Sequence, residues 1–227
     1  MRALERVLDL LFPPRCPFCG RVLDRPGVCA GCASSLPWTA EADSLWELPG
    51  ALRCAAPLWY EGAARQGLLR FKFQGAAGAA DPLGGLIAQC AAERLSGEFD
   101  TVTWVPVSRK RLRRRGYDQA ELLARGACRR WDAHPERLLE KVRDNPAQSG
   151  LTDGESRREN VKGVYRAAGD CRGRRILLVD DICTTGATLG QCAAVLLDAG
   201  AETVVCAAAA RTPPGRHDAP DRQLGTL

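Results

Sequence analysis

The stretch Ile176–Thr188, "ILLVDDICTTGAT", decides how this chain of 227 residues is read. Five apolar residues surround two adjacent carboxylates, and threonines and a glycine follow before a helix-like run. A short continuous apolar run bounded by turn residues is the pattern of a strand buried on both faces. Asp180 and Asp181 then fall at the carboxyl end of that strand, where open α/β sheets bind their ligands. Two neighbouring acids there are costly through desolvation and mutual repulsion unless a metal ion or vicinal hydroxyls offset the charge. Thr184, Thr185 and Thr188 add hydroxyl donors. Gly186 lets the backbone turn tightly, so that amides around Ala187 can face one point at a helix N-terminus, an anion cradle. Carboxylates for a diol beside amides for a phosphate describe a ribose 5-phosphate.

Rival readings fit less well. A nucleotide P-loop needs Lys-Ser or Lys-Thr in its glycine loop, and the stretch has neither. A receiver domain would place its acid-ended strand first, yet here little chain follows Asp181 and the next apolar run ends "AAAAR" without an acid. An acidic helix cap accounts for one aspartate, not for two with three threonines.

Working outward, "TVVCAAAA" (203–210), "FDTVTWVPV" (99–107) and "GVYRA" (163–167) carry strand patterns, as does "CAAPLWY" (54–60). A further short strand is expected near 138–142. Helical periodicity covers 63–73, 82–95, 117–131 and 187–199. Apolar strands alternating with helices imply a parallel sheet covered on both faces. Residues 33–53 lack a sustained period and read as a linker holding at most one short helix. The polar segment 145–162 is long for a loop, which points to function. The tail from 212 has the composition of a disordered end.

Composition is that of a soluble protein, 45% hydrophobic and 26% charged, with a net charge of +5. The charge is uneven: Arg109–Arg115 reads "RKRLRRR", which suits phosphates or nucleic acid. No segment reaches the roughly 20 apolar residues of a membrane span. "MRALERVLDLLF" (1–12) is interrupted by Glu5, Arg6 and Asp9, so it reads as an amphipathic helix and not a signal peptide. The expected compartment is therefore the cytoplasm, and eleven cysteines there argue against a disulfide framework. Cys16-x2-Cys19 and Cys29-x2-Cys32 are matched pairs with metal-ligand spacing, and four thiolates suit one closed, structural Zn²⁺ site. Cys90, Cys128, Cys192 and Cys206 read as small core residues. Cys183, inside the decisive stretch, reads as space-filling ahead of the alternative, a thiol made reactive by helix-end charge.

The decisive stretch resembles the thirteen-residue phosphoribosyl pyrophosphate (PRPP) motif of type I phosphoribosyltransferases. Most of the chain resembles one branch, the ComF family of competence-associated proteins, which includes the GntX-type proteins. "VPVSRKRLRRRGYDQAELLAR" (105–125) is similar to the family's pyrophosphate-loop segment, "QSGLTDGESRRENVKGVY" (148–165) to its mobile loop, and "CPFCG" with "CAGC" to its zinc module. The family often carries a further cysteine pair downstream, where this chain has only Cys54.

The resemblance implies an α/β chain with the type I phosphoribosyltransferase fold and a small N-terminal zinc module of four cysteines. Its division would be zinc module 1–40, linker and hood 41–98, transferase core 99–211 and tail 212–227. It implies transfer of a phosphoribosyl group to an unidentified acceptor with release of pyrophosphate, or binding of PRPP or single-stranded DNA without turnover. Asp180 and Asp181 would bind the ribose hydroxyls and organise Mg²⁺. Thr184, Thr185, Gly186, Ala187 and Thr188 would hold the 5-phosphate. Val107, Ser108 and Arg109 would lie in the pyrophosphate loop, and Arg157, Arg158 and Lys162 would act from the mobile loop. Single-stranded DNA and a DNA-uptake helicase are the implied partners.

Overall fold

The computed structural model describes residues 13–50, 52–143 and 163–214. The expected helix at 1–12, the loop cations Arg157, Arg158 and Lys162, and the tail beyond 214 lie outside them.

In chain order the elements are α1 (Ala30–Ser35), β1 (Leu45–Leu48), β2 (Leu52–Ala55), α2 (Gly62–Phe73), α3 (Ala80–Arg94), β3 (Thr101–Trp104) and α4 (Arg109–Arg115). They continue with α5 (Gln119–Cys128), β4 (Leu139–Lys141), β5 (Tyr165–Ala167), β6 (Arg175–Cys183), α6 (Ala187–Asp198) and β7 (Thr203–Arg211). Five strands form one sheet in the order β1-β2-β7-β6-β3. β2, β7, β6 and β3 run parallel, whereas β1 pairs with β2 antiparallel. β4 and β5 make a separate antiparallel pair.

β6 is central because its sequence can be buried on both faces. Ile176, Leu177, Leu178 and Val179 are each 0% exposed, which only a strand flanked by partners and covered above and below achieves. One face packs on α2, α3 and α5, and includes Phe18 and cysteines of the N-terminal module. The other packs on α6 and on the β4–β5 pair, through residues such as Leu138 and Tyr165. Cys90, Cys128, Cys192 and Cys206 lie in these cores, as expected.

Three expectations are corrected. Residues 33–53 are no linker: they close α1, form a short 3-10 turn at Glu41–Asp43 and supply β1 and the start of β2, joined through Pro49 and Gly50. The sheet is mixed at that edge, not wholly parallel. The acid pair does not end its strand, since β6 continues through Ile182 to Cys183. The partner β3 stops first: its last paired residue, Trp104, lies opposite Val179, one residue short of Asp180. Asp180 and Asp181 are therefore part of a strand whose β3-side edge has just been left open.

Candidate functional site

Beyond Val179, among the described residues only β7 continues beside β6, matching Asp180 to Ala208 and Cys183 to Arg211. Both carboxylates are half-buried on this shelf. Successive residues of a strand point to opposite faces, so the pair divides its attention. Asp181 turns to the α2 side, where Lys72 Nζ lies 3.2 Å from its Oδ2 and 3.4 Å from its Oδ1. Asp180 accepts the Asp181 backbone N–H at 2.8 Å. Desolvation, then the neighbouring charge of Asp181, pushes the Asp180 carboxyl up to about 8. The Lys72 ammonium is raised, chiefly by the charge of Asp181.

The threonine loop follows directly. Thr184, Thr185 and Thr188 are exposed, and Thr185 Oγ1 accepts the Ala187 amide at 3.3 Å. Gly186 is the N-cap of α6 at φ +74°, in the left-handed region, and contributes no capping side chain. A Cβ there would sit 2.4 Å from Leu48 Cδ2, so both conformation and space demand glycine. With Ala187 served by Thr185, the Thr188 and Leu189 amides in the first turn of α6 remain for an anion.

The 105–109 segment is placed differently from a free amide loop. Ser108 caps α4 by accepting the Arg111 amide at 3.3 Å, and Arg109 is already helical, paired with Glu140 at 3.2 Å. The Val107 amide donates to Asp118 Oδ2 at 2.9 Å. Asp118 is buried, caps α5 through the Glu121 amide, and is raised by desolvation. A cleft of about 370 Å³ opens beside this segment, bordered by Trp104, Val107, Arg109, Asp118 and Lys141.

The basic run is thus a helix, closed by Gly116 at φ +82°. Arg115 folds inward, stacking 4.9 Å over the Phe73 ring and donating to Gln119 at 2.9 Å. Lys110, Arg111, Arg113 and Arg114 face solvent with no ion-pair partner among the described residues. Sequence reasoning missed Lys72, Arg115's inward turn and Asp118. Only Asp118, three residues ahead of Glu121 at a helix start, carried a local signal.

The second site is the cysteine module. The ligand sulfurs of Cys16, Cys19, Cys29 and Cys32 all lie within 4.8 Å of one another, and Cys19 and Cys29 Sγ are 3.6 Å apart. Tetrahedral zinc with Zn–S near 2.3 Å would need edges of about 3.8 Å, so the set fits one ion. A turn made by Cys16 N to Arg21 O and Gly20 N to Cys16 O presents the first pair. Cys29 caps α1, its Sγ accepting the Cys32 amide at 3.4 Å. Burial pushes the Cys16 thiol up, but donors from the Cys29, Phe18 and Cys19 backbones outweigh it and bring it to about 6, whereas burial and the neighbouring thiols push the Cys32 thiol up.

α2 joins the two sites. Gly67 packs against the module, since a Cβ would lie 2.8 Å from both Phe18 Cδ1 and the Pro17 carbonyl. Arg70 donates to the carbonyls of Pro17 and Phe18. At the next two residues, Tyr117 OH donates to the Phe71 carbonyl and Gln119 to that of Lys72.

Comparison with known proteins places the chain by family. Residues 113–223 match the family described as phosphoribosyl transferase domain, and residues 7–44 match the double zinc ribbon domain. The latter span contains four cysteines, so the chain has one structural zinc site there. The chain is 34% identical over 109 residues to the DNA utilization protein YhgH of Escherichia coli O6:H1, covering 46% of each chain. It is 35% identical over 104 residues to competence protein F of Haemophilus influenzae, covering 44% of this chain and 45% of that one. In both cases the match spans less than half the relative's length. It is 30% identical over 196 residues to competence protein ComFC of Bacillus subtilis, covering 82% of this chain and 72% of that one. Among the described residues no helix is long and apolar enough to cross a membrane.

Proposed function

The chain belongs to the ComF family within the type I phosphoribosyltransferase superfamily, and from that premise we propose that it binds PRPP with Mg²⁺ and transfers the phosphoribosyl group to an acceptor, in the service of DNA uptake. The observation that carries this reading is the shelf itself: Asp180 and Asp181 on the open end of β6, one short loop from the uncapped start of α6. Relatives named for competence and for DNA utilization support the physiological setting.

In this reading Asp180 and Asp181 accept the ribose hydroxyls, and Thr184–Thr188 hold the 5-phosphate through hydroxyls and amides. Hard oxygen donors suit Mg²⁺, and a cation beside the pair would offset the repulsion and desolvation that raise the Asp180 carboxyl, so the donor set fits a divalent cation. When bound, that ion would neutralise charge on the pyrophosphate. The acceptor nucleophile bonds to the anomeric carbon as that carbon's bond to the pyrophosphate oxygen breaks. Positive charge then develops on the ribose and negative charge on the leaving group, so positioning and preorganised charge do most of the catalysis. The cations of the 145–162 segment, Arg157, Arg158 and Lys162, are proposed to cover the leaving group and exclude water.

Changing Asp180 and Asp181 together to Asn tests this. The amides keep the size but lose charge-assisted acceptance, worth about 1.5–3 kcal/mol per bond. PRPP binding should weaken by roughly two to four orders of magnitude, and the thermal shift given by PRPP with Mg²⁺ should vanish. An equal shift in both proteins would overturn the reading.

A second reading, binding of single-stranded DNA, is favoured by the four solvent-facing cations of α4. Adding oligonucleotide to the same titration separates the two. An electrostatic complex weakens with salt at a log–log slope near −0.7 per phosphate neutralised and is indifferent to the Asn substitutions.

A further inference from the structure

The acid pair has a cation already. Lys72 stands on the last turn of α2, and its Nζ reaches both oxygens of Asp181, at 3.2 and 3.4 Å. The pairing is sheltered, with 26% of the Lys72 side chain and 14% of the Asp181 side chain exposed. It is also built. Arg70 anchors the helix to the Pro17 and Phe18 carbonyls, Tyr117 holds the Phe71 carbonyl and Gln119 that of Lys72 itself, at 3.5 Å. A lysine on a freely moving turn would sample many rotamers. This one is aimed from a backbone fixed on two sides.

A permanent ion pair at this point would be awkward for the proposed function, on which the inference rests, because the same carboxylate has to serve the ligand. Resting cation and incoming cation would compete for one group. We propose that Lys72 is a positioning residue: its ammonium is the resident counter-ion of Asp181, and it yields that carboxylate to a divalent cation when PRPP binds. In the ligand-free state it offsets the repulsion between two adjacent acids and keeps Asp181 turned to the α2 side of the shelf. Asp180, directed to the opposite face of the strand, has no ion-pair partner among the described residues.

The test uses Mn²⁺ alone as the probe, read by the loss of its free-ion magnetic resonance signal, with full-length wild type, Lys72→Met and Lys72→Arg. Zinc content of one per chain and an unchanged circular dichroism spectrum certify each variant. Removing one positive charge about 3 Å from the carboxylate should tighten Mn²⁺ binding about tenfold in Lys72→Met. Lys72→Arg should stay within about threefold of wild type. In parallel, the Mg²⁺ concentration needed for half of the PRPP thermal shift should fall about tenfold in Lys72→Met.

A purely structural lysine would lower the melting temperature and leave both metal titrations where they were, or weaken them. That result overturns the inference, as does failure of both wild type and Lys72→Met to bind Mn²⁺. Wild type that binds Mn²⁺ but not PRPP overturns the proposed function instead. The exchange at Asp181 is then still decided by the Mn²⁺ titration.

Discussion

The cysteine module and the acid shelf both bring polar groups together, but they are assembled in opposite ways. The module draws its four ligands from seventeen consecutive residues and closes them within 4.8 Å. The shelf takes Asp180 and Asp181 from β6, Lys72 from α2 109 positions earlier, and Leu48 from β1 to seat the threonine loop. A local site can be specified by spacing and turn chemistry alone. A distributed site exists only once the sheet order and the helix packing are in place, and each contributor is replaceable by degrees.

The contrast can be broken most decisively at the module. Cys16→Ser should abolish stoichiometric zinc and unfold the N-terminal segment, since structural zinc supplies about 10–16 kcal/mol in zinc-finger peptides. Elemental analysis and a melting curve check it. Full zinc retention with an unchanged melt would show that the four thiols do not act as one unit.

Next comes the hinge of the shelf. Gly186→Val forces a branched residue into φ +74° and against Leu48, costing roughly 2–3 kcal/mol, or on the order of 5–10 °C in melting temperature. Adding Leu48→Ala should recover part of that loss, because it removes the collision and leaves the backbone strain. Full recovery would mean that strain plays no part, and zinc content should not change in either protein.

The smallest effect is in the pH dependence of the ligand-free chain. The Asp180 carboxyl is raised from 3.8 to about 8 by desolvation and by Asp181. As pH climbs through that window the unfolded chain releases the proton first, so stability contributed by this group is present below the window and lost by its top. Asp180→Asn should flatten the decline in melting temperature between roughly pH 5 and pH 8 by a few degrees. Parallel curves would show that the carboxylate is solvated after all.

What the sequence disclosed follows the same division. β6, α6, β7 and the zinc ligands were legible because each is encoded by a continuous pattern: an apolar run, a glycine cap, a doubled cysteine pair. The β1–β2 hairpin was not, because Leu45–Leu48 and Leu52–Ala55 are four residues each and pair across the turn, too short to show a period. The helix of the basic run was hidden by its charge. Arginine and lysine favour helix, and Ser108 and Gly116 cap it at both ends, yet a stretch whose one apolar residue is Leu112 has no apolar stripe to count. Lys72 could not be paired with Asp181 by any local rule. Asp180 and Asp181 were read as strand-terminal because the change in composition falls there, whereas the strand is carried on to Cys183 by its ladder to β7.

The bridge made by α2 has a consequence for anyone who would cut this protein into parts. The borders of the two recognised families fall at 44 and 113, and the stretch between them holds three of the five main-sheet strands as well as α2 and α3. A fragment started at the second border would lack the strand that flanks β6 and the lysine that meets Asp181. One that dropped only the ribbon would uncover the side of α2 on which Gly67 meets Phe18 and leave Arg70 without its two carbonyl acceptors. In expression work the ribbon is therefore not a detachable tag. It behaves as one wall of the α/β core, to be inherited, truncated or transplanted only together with the helix that leans on it.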